Sequence, residues 1–345
     1  MSRGKQKIKI MKNRIVNLVL LLTGCFAVSA AQGDPPVVYL HYDYMGQSPY
    51  GYDLQPNPDG IRRMVKAFRA HGIQLVVDPQ HTVLPYYPYL CFGPSQHIFE
   101  PAVNFFDLKA QYFHPAGNQP WHYAIVGDYG LSPEGQFVGG YAELPGYNFM
   151  VTIGPELTCP PDDQDPTRPH IDLCQNFVVG TLMHELGHNL NLRHGGDEDD
   201  NLKPNYLSVM NYLWQVYGIF VSNQPGNADP TNIIALRLDY SGYVLPPLNE
   251  LHLDERIGLG GPLDSTDVGA FFTAGLSRYS LIPVAAVPFD WNLNGVIEPD
   301  VQMKINGQFS GFTQLHGFND WEYLQKYLDT PAYRTGRVPR GPPVP

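Results

Sequence analysis

The chain has few basic residues, few cysteines, no internal repeat and, past its N-terminus, no apolar run long enough to cross a bilayer. Each scarcity argues against a class of protein. Lys and Arg number 22 against 33 Asp and Glu, a formal charge of −11 at pH 7. Nucleic acid is met through basic surfaces, so it is not expected as a partner. No transmembrane span is expected without a later stretch of about 20 apolar residues. No solenoid or propeller is expected without a sequence period. Cysteine is confined to Cys25, Cys91, Cys159 and Cys174.

What is present suits one large domain or two modest ones: 345 residues, 43% of them hydrophobic, enough for a core. Pro 33 and Gly 34 predict much loop. The first 30 residues read as a signal peptide. Lys5, Lys7, Lys9, Lys12 and Arg14 form a basic n-region, or Met11 to Arg14 a shorter one from an internal start. Residues 15–26 are apolar, and Val28-Ser29-Ala30 offers a small-residue cleavage site. Leu22-Thr23-Gly24-Cys25 is also similar to a lipobox, although the apolar Phe26-Ala27-Val28 is a poor lipoprotein start. The expectation is a secreted or periplasmic protein, with a lipid anchor at Cys25 as the alternative. Export removes six basic residues (Arg3, Lys5, Lys7, Lys9, Lys12, Arg14), leaving 22 − 6 = 16 basic against 33 acidic, about −17. That excess serves solubility or cation-binding loops.

In an oxidising compartment Cys159 and Cys174 are the natural disulfide pair. The bridge would restrain the Pro- and Asp-rich segment 160–173, by roughly 3 kcal/mol in the chain-entropy model. Cys91 is left over and expected to be buried.

The run His184-Glu185-Leu186-Gly187-His188-Asn189-Leu190-Asn191-Leu192-Arg193-His194 carries the chemistry. It follows an apolar stretch, residues 177–183, that reads as helix. His184 and His188, four apart, share a helix face and can reach one zinc ion. Glu185 follows the first ligand, where its carboxylate can serve as general base toward a zinc-bound water. In a continuing helix His194 would be rotated by about 240° and carried about 9 Å along the axis. It joins the site only through a sharp turn, and Asn191 sits where that turn is needed. The long zinc-peptidase motif has Gly there. Asn is the non-Gly residue most at home in the left-handed region and also terminates helices.

Downstream lies Tyr206-Leu207-Ser208-Val209-Met210-Asn211-Tyr212. The two motifs together resemble the metzincin zinc peptidases, the second being similar to their methionine turn. The resemblance implies an α+β fold: a twisted mixed β-sheet with an active-site helix above an irregular C-terminal subdomain. It implies that Met210 lies beneath the three histidines without ligating. It also implies that Tyr212 contacts the zinc or the oxyanion of the reaction.

The rest of the chain is consistent with that order. Residues 36–42 read as a strand, and 59–70 as a helix with Ile61, Met64, Val65 and Phe68 on one stripe. Residues 73–77 read as a second strand, making a βαβ start. A short helix is predicted over 107–113 and strands over 121–126 and 147–153. By the resemblance the last is the edge strand that takes substrate by β-augmentation. The N-terminal catalytic subdomain then spans residues 31–194 and the C-terminal subdomain 195–330. Gly195 to Asp200 is an acidic loop, solvated or cation-binding. Helices are predicted over 248–257 and 321–328, and a disordered tail over 331–345.

A second metal candidate is a calcium loop from Asp290. Asp290, Asn292 and Asn294 give oxygen ligands at positions 1, 3 and 5, Gly295 holds position 6 and Val296 follows in the motif. Glu298 and Asp300 are further acids, but position 12 is Val301. The other reading is a polar turn in which Gly295 supplies positive φ. His41, His81, His97, His114 and His122 lack ligand spacing and are expected to be hydrogen-bonding or surface residues.

The motifs point to an exported zinc-dependent endopeptidase, most simply a monomer acting on a protein or peptide. His184, His188 and His194 hold one catalytic zinc, Glu185 is the general base and Tyr212 stabilises the oxyanion. Calcium is a second cofactor if the Asp290 loop binds it. The alternative is a zinc-stabilised binding or adhesion protein on the same fold.

Overall fold

The computed structural model describes residues 34–46, 48, 49, 51, 54–93, 101–152, 176–272, 279–307 and 311–345. The signal segment with Cys25, the pair Cys159 and Cys174, and His97 lie outside the described residues. From Pro35 onward the chain is one compact unit.

Strand β1 (Val37–Met45) leads through helix α1 (Pro58–Ala70) to β2 (Gln74–Val77), which pairs parallel with β1. Helix α1 starts one residue before the predicted 59 because Asn57 caps it, its side-chain oxygen accepting from Asp59 N at 2.8 Å, with Pro58 in the first turn. Its buried stripe is Ile61, Met64 and Phe68, with Val65 half-buried beside them. Short strands β3 (Val83–Leu84), β4 (Tyr89–Cys91) and β5 (Ala102–Asn104) precede α2 (Phe105–Tyr112), which Asn104 caps. Then come β6 (Trp121–Gly127), β7 (Tyr129–Leu131), β8 (Phe137–Val138), β9 (Gly140–Glu143) and β10 (Asn148–Thr152). Helix α3 (Phe177–Asn189) carries the histidine motif.

The C-terminal half is mostly loop. It holds a sheet of β11 (Ile219–Ser222), β12 (Ile233–Arg237), β14 (Asp267–Phe272) and β15 (Tyr279–Pro283). A second pair is β13 (Leu248–Asn249) with β16 (Gln314–Leu315). Helices α4 (Asp320–Leu328) and α5 (Pro331–Arg334) and the strand β17 (Pro343–Val344) end the chain.

The main sheet runs β17-β9-β10-β6-β1-β2, with β3 also on β1. Strands β2, β1, β6 and β10 are mutually parallel, and β9 and then β17 add antiparallel. The sheet is therefore mixed, as expected, and the fold is mixed α/β. Helix α3 packs on β9, β10 and β6. It touches α1 where Gly60 leaves room: a Cβ there would lie 2.7 Å from Val179. One hydrophobic cluster joins the sheet, α1, α3, Met210 and α4; a second fills the loop-rich half around Trp214, Phe271 and Trp291. The first cluster thus draws on residues from both sides of His194.

Three expectations are corrected. The strand predicted as the edge is β10, and it lies inside the sheet. All five of its residues are buried, as in a strand covered on both faces. Outside it lie β9, four residues too short to show a period, and β17, which forms the edge of this half of the sheet. The helix predicted over 248–257 is a two-residue strand followed by turns. Two buried carboxylates organise that region. Glu250 accepts from Ile305 N at 2.9 Å and Thr313 N at 2.9 Å, and Glu255 from Trp291 N at 2.7 Å and Glu298 N at 2.9 Å. Those distant amides outcompete a local helix. The tail predicted to be disordered is ordered: Tyr333 and Val338 are buried in the first cluster, and β17 pairs with β9.

Candidate metal centre

Helix α3 is buried on nearly every side, which explains its apolar sequence. Gly180 brings it against the loop at Gln215: a Cβ there would stand 2.1 Å from the Gln215 carbonyl oxygen. Its last turn is tied to the sheet by Asn189. The Asn189 amide donates to Glu143 O at 2.9 Å and Asn148 O at 3.1 Å, and its oxygen meets His122 Nδ1 at 3.1 Å. His122, fully buried, is therefore a hydrogen-bonding residue, as is His41 between Asp43 and Asp78.

The helix ends in a Schellman turn. Asn191 N donates to His188 O at 2.8 Å and Leu192 N to Gly187 O at 2.9 Å. Asn191 has φ 70°, the left-handed conformation expected of it, and its amide donates to the Tyr323 hydroxyl. The reversal brings the Leu192 carbonyl back to accept from His188 Nδ1 at 2.8 Å. It also returns His194 toward the helix. The acidic loop beyond is tied down: buried Lys203 donates to Gly195 O at 2.9 Å and pairs with Glu198, and Arg193 pairs with Asp199 at 2.7 Å.

The ring nitrogens of His184, His188 and His194 lie within 4.8 Å of one another. His184 Nδ1 donates to Val209 O at 2.7 Å, as His188 Nδ1 does to Leu192 O. Each bond fixes the tautomer, leaving Nε2 without a proton. These two Nε2 atoms face one another at 3.0 Å. Two lone pairs cannot hydrogen-bond, and a shared cation resolves the contact. With Zn–N of about 2.0–2.1 Å, tetrahedral nitrogens stand about 3.3 Å apart, close to what is found. Burial drives His188 down to about 3 and His184 well below the usual imidazole range, and it also lowers His194. Neutral imidazoles are the form that ligates a metal. The donor set fits zinc.

Glu185 is fully buried, and neither carboxylate oxygen has a partner. Burial alone pushes its carboxyl well above the ordinary carboxylate range. It lies against β9, where a Cβ on Gly140 would come within 2.1 Å of Oε1. An orphaned buried carboxylate next in sequence to His184 is hard to explain as structure and easy as a proton acceptor.

Met210 lies under the helix. A Cβ on Gly187 would stand 2.3 Å from its sulfur, so the glycine of the motif is what lets the turn approach. The turn is held by Val209 N donating to Asp239 O at 3.0 Å, Met210 N to Ser208 Oγ at 3.1 Å, and the Asn211 amide to Lys203 O and Tyr206 O. Tyr206 Oη donates to buried Asp320 at 2.7 Å, which links the turn to α4. The Tyr212 ring is 4.6 Å from the His194 ring and 5.7 Å from that of His184.

The structure thus brings together Glu185, His184, His188, His194, Tyr212, Met210 and the Asn191 turn. The Asp290 loop is separate. There the carboxylate of Asp290 accepts from Asn294 N and Gly295 N, and Glu298 accepts from the Asn292 and Asn294 amides. Asn294 Oδ1 accepts from Val296 N, and Asp300 meets His252 at 2.9 Å. Gly295 has φ 85°, as the polar-turn reading requires. Lys203, Asn189, Gly140 and Asp320 support the site without a motif to mark them; a buried lysine reads in sequence like any other.

This arrangement, histidines on a helix and past a sharp turn above a methionine, is the one that the two motifs led us to expect. No family model matches the chain, and no curated protein matches it. Among solved structures it is similar to archaemetzincin from Methanopyrus kandleri, with a TM-score of 0.30 and 17% identity, covering 53% of this chain and 83% of that one. The chemistry rests on the site itself.

Proposed function

We propose that this protein is an exported zinc-dependent endopeptidase. The observation that carries the reading is the pair of facing, deprotonated Nε2 atoms of His184 and His188, 3.0 Å apart beside His194 and the partnerless Glu185 carboxylate. Zinc held by the three histidines would polarise a peptide carbonyl and lower the pKa of water. Glu185 takes the proton of the attacking water on a carboxylate oxygen and hands it to the leaving amine nitrogen. Tyr212 donates its hydroxyl hydrogen to the oxyanion as it forms. Val209 and Leu192, through their carbonyls, hold the first two imidazoles in one tautomer. The basic n-region and apolar run of residues 1–30 support export, and the acidic net charge of −11 supports a protein rather than a nucleic-acid substrate.

The test is Glu185→Gln with zinc content measured on the same sample. We expect one zinc per chain and at least a hundredfold loss of peptide hydrolysis, the usual scale for a general base. Near-normal turnover in that variant overturns the reading. Stoichiometric zinc in the unaltered chain with no hydrolysis of any peptide library would favour a binding protein instead.

A further inference from the structure

Residues 340–345 run along β9 to the histidine cluster. Arg340 stands 3.8 Å from the Glu143 carboxylate, Gly341 N donates to Pro145 O at 2.8 Å, and Leu144 N donates to Pro342 O at 3.3 Å. Pro343 and Val344 pair antiparallel with Glu143 and Ala142 of β9, completing the sheet. The strand is aimed at the histidines. The main-chain oxygen of Pro345 is 2.9 Å from His194 Nε2 and accepts from the Tyr212 hydroxyl at 3.4 Å.

That is where an extended peptide would present a carbonyl for attack. The segment is also built for a close but weak fit. A Cβ on Gly341 would lie 1.7 Å from the Leu144 carbonyl oxygen, so only glycine passes. Pro342, Pro343 and Pro345 have no N–H to give to the ladder, which limits its hold on β9.

We propose that Gly341–Pro345 is a built-in occupant of the substrate groove, and that the groove takes extended proline-containing peptides along β9. The proposal rests on the peptidase reading of the site. In a substrate bound in this register, the residue at the Pro345 position presents its carbonyl where the three histidines would hold the metal, beside the Tyr212 hydroxyl. Hydrolysis there breaks the C–N bond that follows, adds the hydroxyl of water to the acyl carbon and delivers the remaining proton through Glu185 to the amine. The chain's own segment competes with such a peptide for the same edge.

Three zinc-loaded proteins test this: the full chain, a chain stopped after Arg340, and Gly341→Val. The probe is fluorescein-Gly-Pro-Pro-Val-Pro-amide, amidated so that no terminal carboxylate can bind metal. Its binding is read by fluorescence polarisation, with and without chelator, and hydrolysis of a peptide library is read in parallel. A tethered segment at an effective concentration on the order of 1 mM weakens a free copy by about tenfold when its Kd is on the order of 0.1 mM. We therefore expect about tenfold tighter probe binding by the stopped chain and by Gly341→Val, with hydrolysis raised by a similar factor. Equal probe binding by all three proteins overturns the proposal, even if all three hydrolyse peptides equally and the peptidase reading stands. Tighter probe binding with no hydrolysis by any of them overturns the peptidase reading and leaves the groove as a peptide-binding site that its own chain occupies.

Discussion

Replacing Asn191 tests the turn on which the third histidine depends. At φ 70° an ordinary L side chain is strained, by about 1–2 kcal/mol, whereas glycine is not. Against that, glycine adds conformational freedom to the unfolded chain, about 0.4–1 kcal/mol relative to alanine. The hydrogen bond from the Asn191 amide to the Tyr323 hydroxyl would confuse the comparison. It is removed from every variant by working in a Tyr323→Phe background. There Asn191→Gly should be more stable than Asn191→Ala by about 0.8 kcal/mol, the difference between the two effects. At an ordinary helical position the order is the reverse. Urea melts of the chelated proteins give the stabilities, and zinc titration gives the consequence. The same turn aims the Leu192 carbonyl at His188 and returns His194, so zinc affinity should also fall from Gly to Ala. Asn191→Val should be worse than either. An alanine variant as stable as the glycine variant, or more so, refutes the argument that left-handed geometry is what this position supplies.

Two further substitutions probe the support beneath the site. Gly187→Ala should cost about 1–3 kcal/mol by overpacking against Met210. Met210→Ala should recover part of that loss when combined with it, and additive melts in the double-mutant cycle would dismiss the contact. Burial raises the Asp320 carboxyl to about 7, against the hydrogen bonds that favour its charge. Between about pH 4 and 7 the folded chain then keeps a proton that the unfolded chain has released. This group's contribution to stability therefore declines as pH rises through that window, by about 4 kcal/mol at most, and is level above it. Asp320→Asn should remove the decline, and a difference between the two proteins that does not vary from pH 4 to 7 would show that Asp320 does not titrate there.

Local order dictated what could be read early. The stripe of α1, the buried run of α3 and the strands β1, β2 and β6 all follow from period. The histidine spacing and the Asn at the turn carry most of the site in eleven residues, because the Schellman reversal is a local event. Residues 248–257 misled because they have helix-like composition, while Glu250 and Glu255 spend their oxygens on amides more than thirty residues away. Nothing local announces such partners.

By itself, the sequence supplied the groups: three imidazoles, one carboxylate and an asparagine suited to the left-handed region within a single helix and its exit. Tertiary structure decided who stands around them. Strand β10 lies inside the sheet because β6 and β9 pair with its two edges, and the outer side of β9 is taken by β17. Gly140 and Gly187 matter only because Glu185 and Met210 come against them from elsewhere in the chain. The proline-rich end looked too weak in local structure to order itself. It is ordered because β9 offers unpaired main-chain groups beside the site, and an unpaired strand edge is filled by whatever extended segment can reach it.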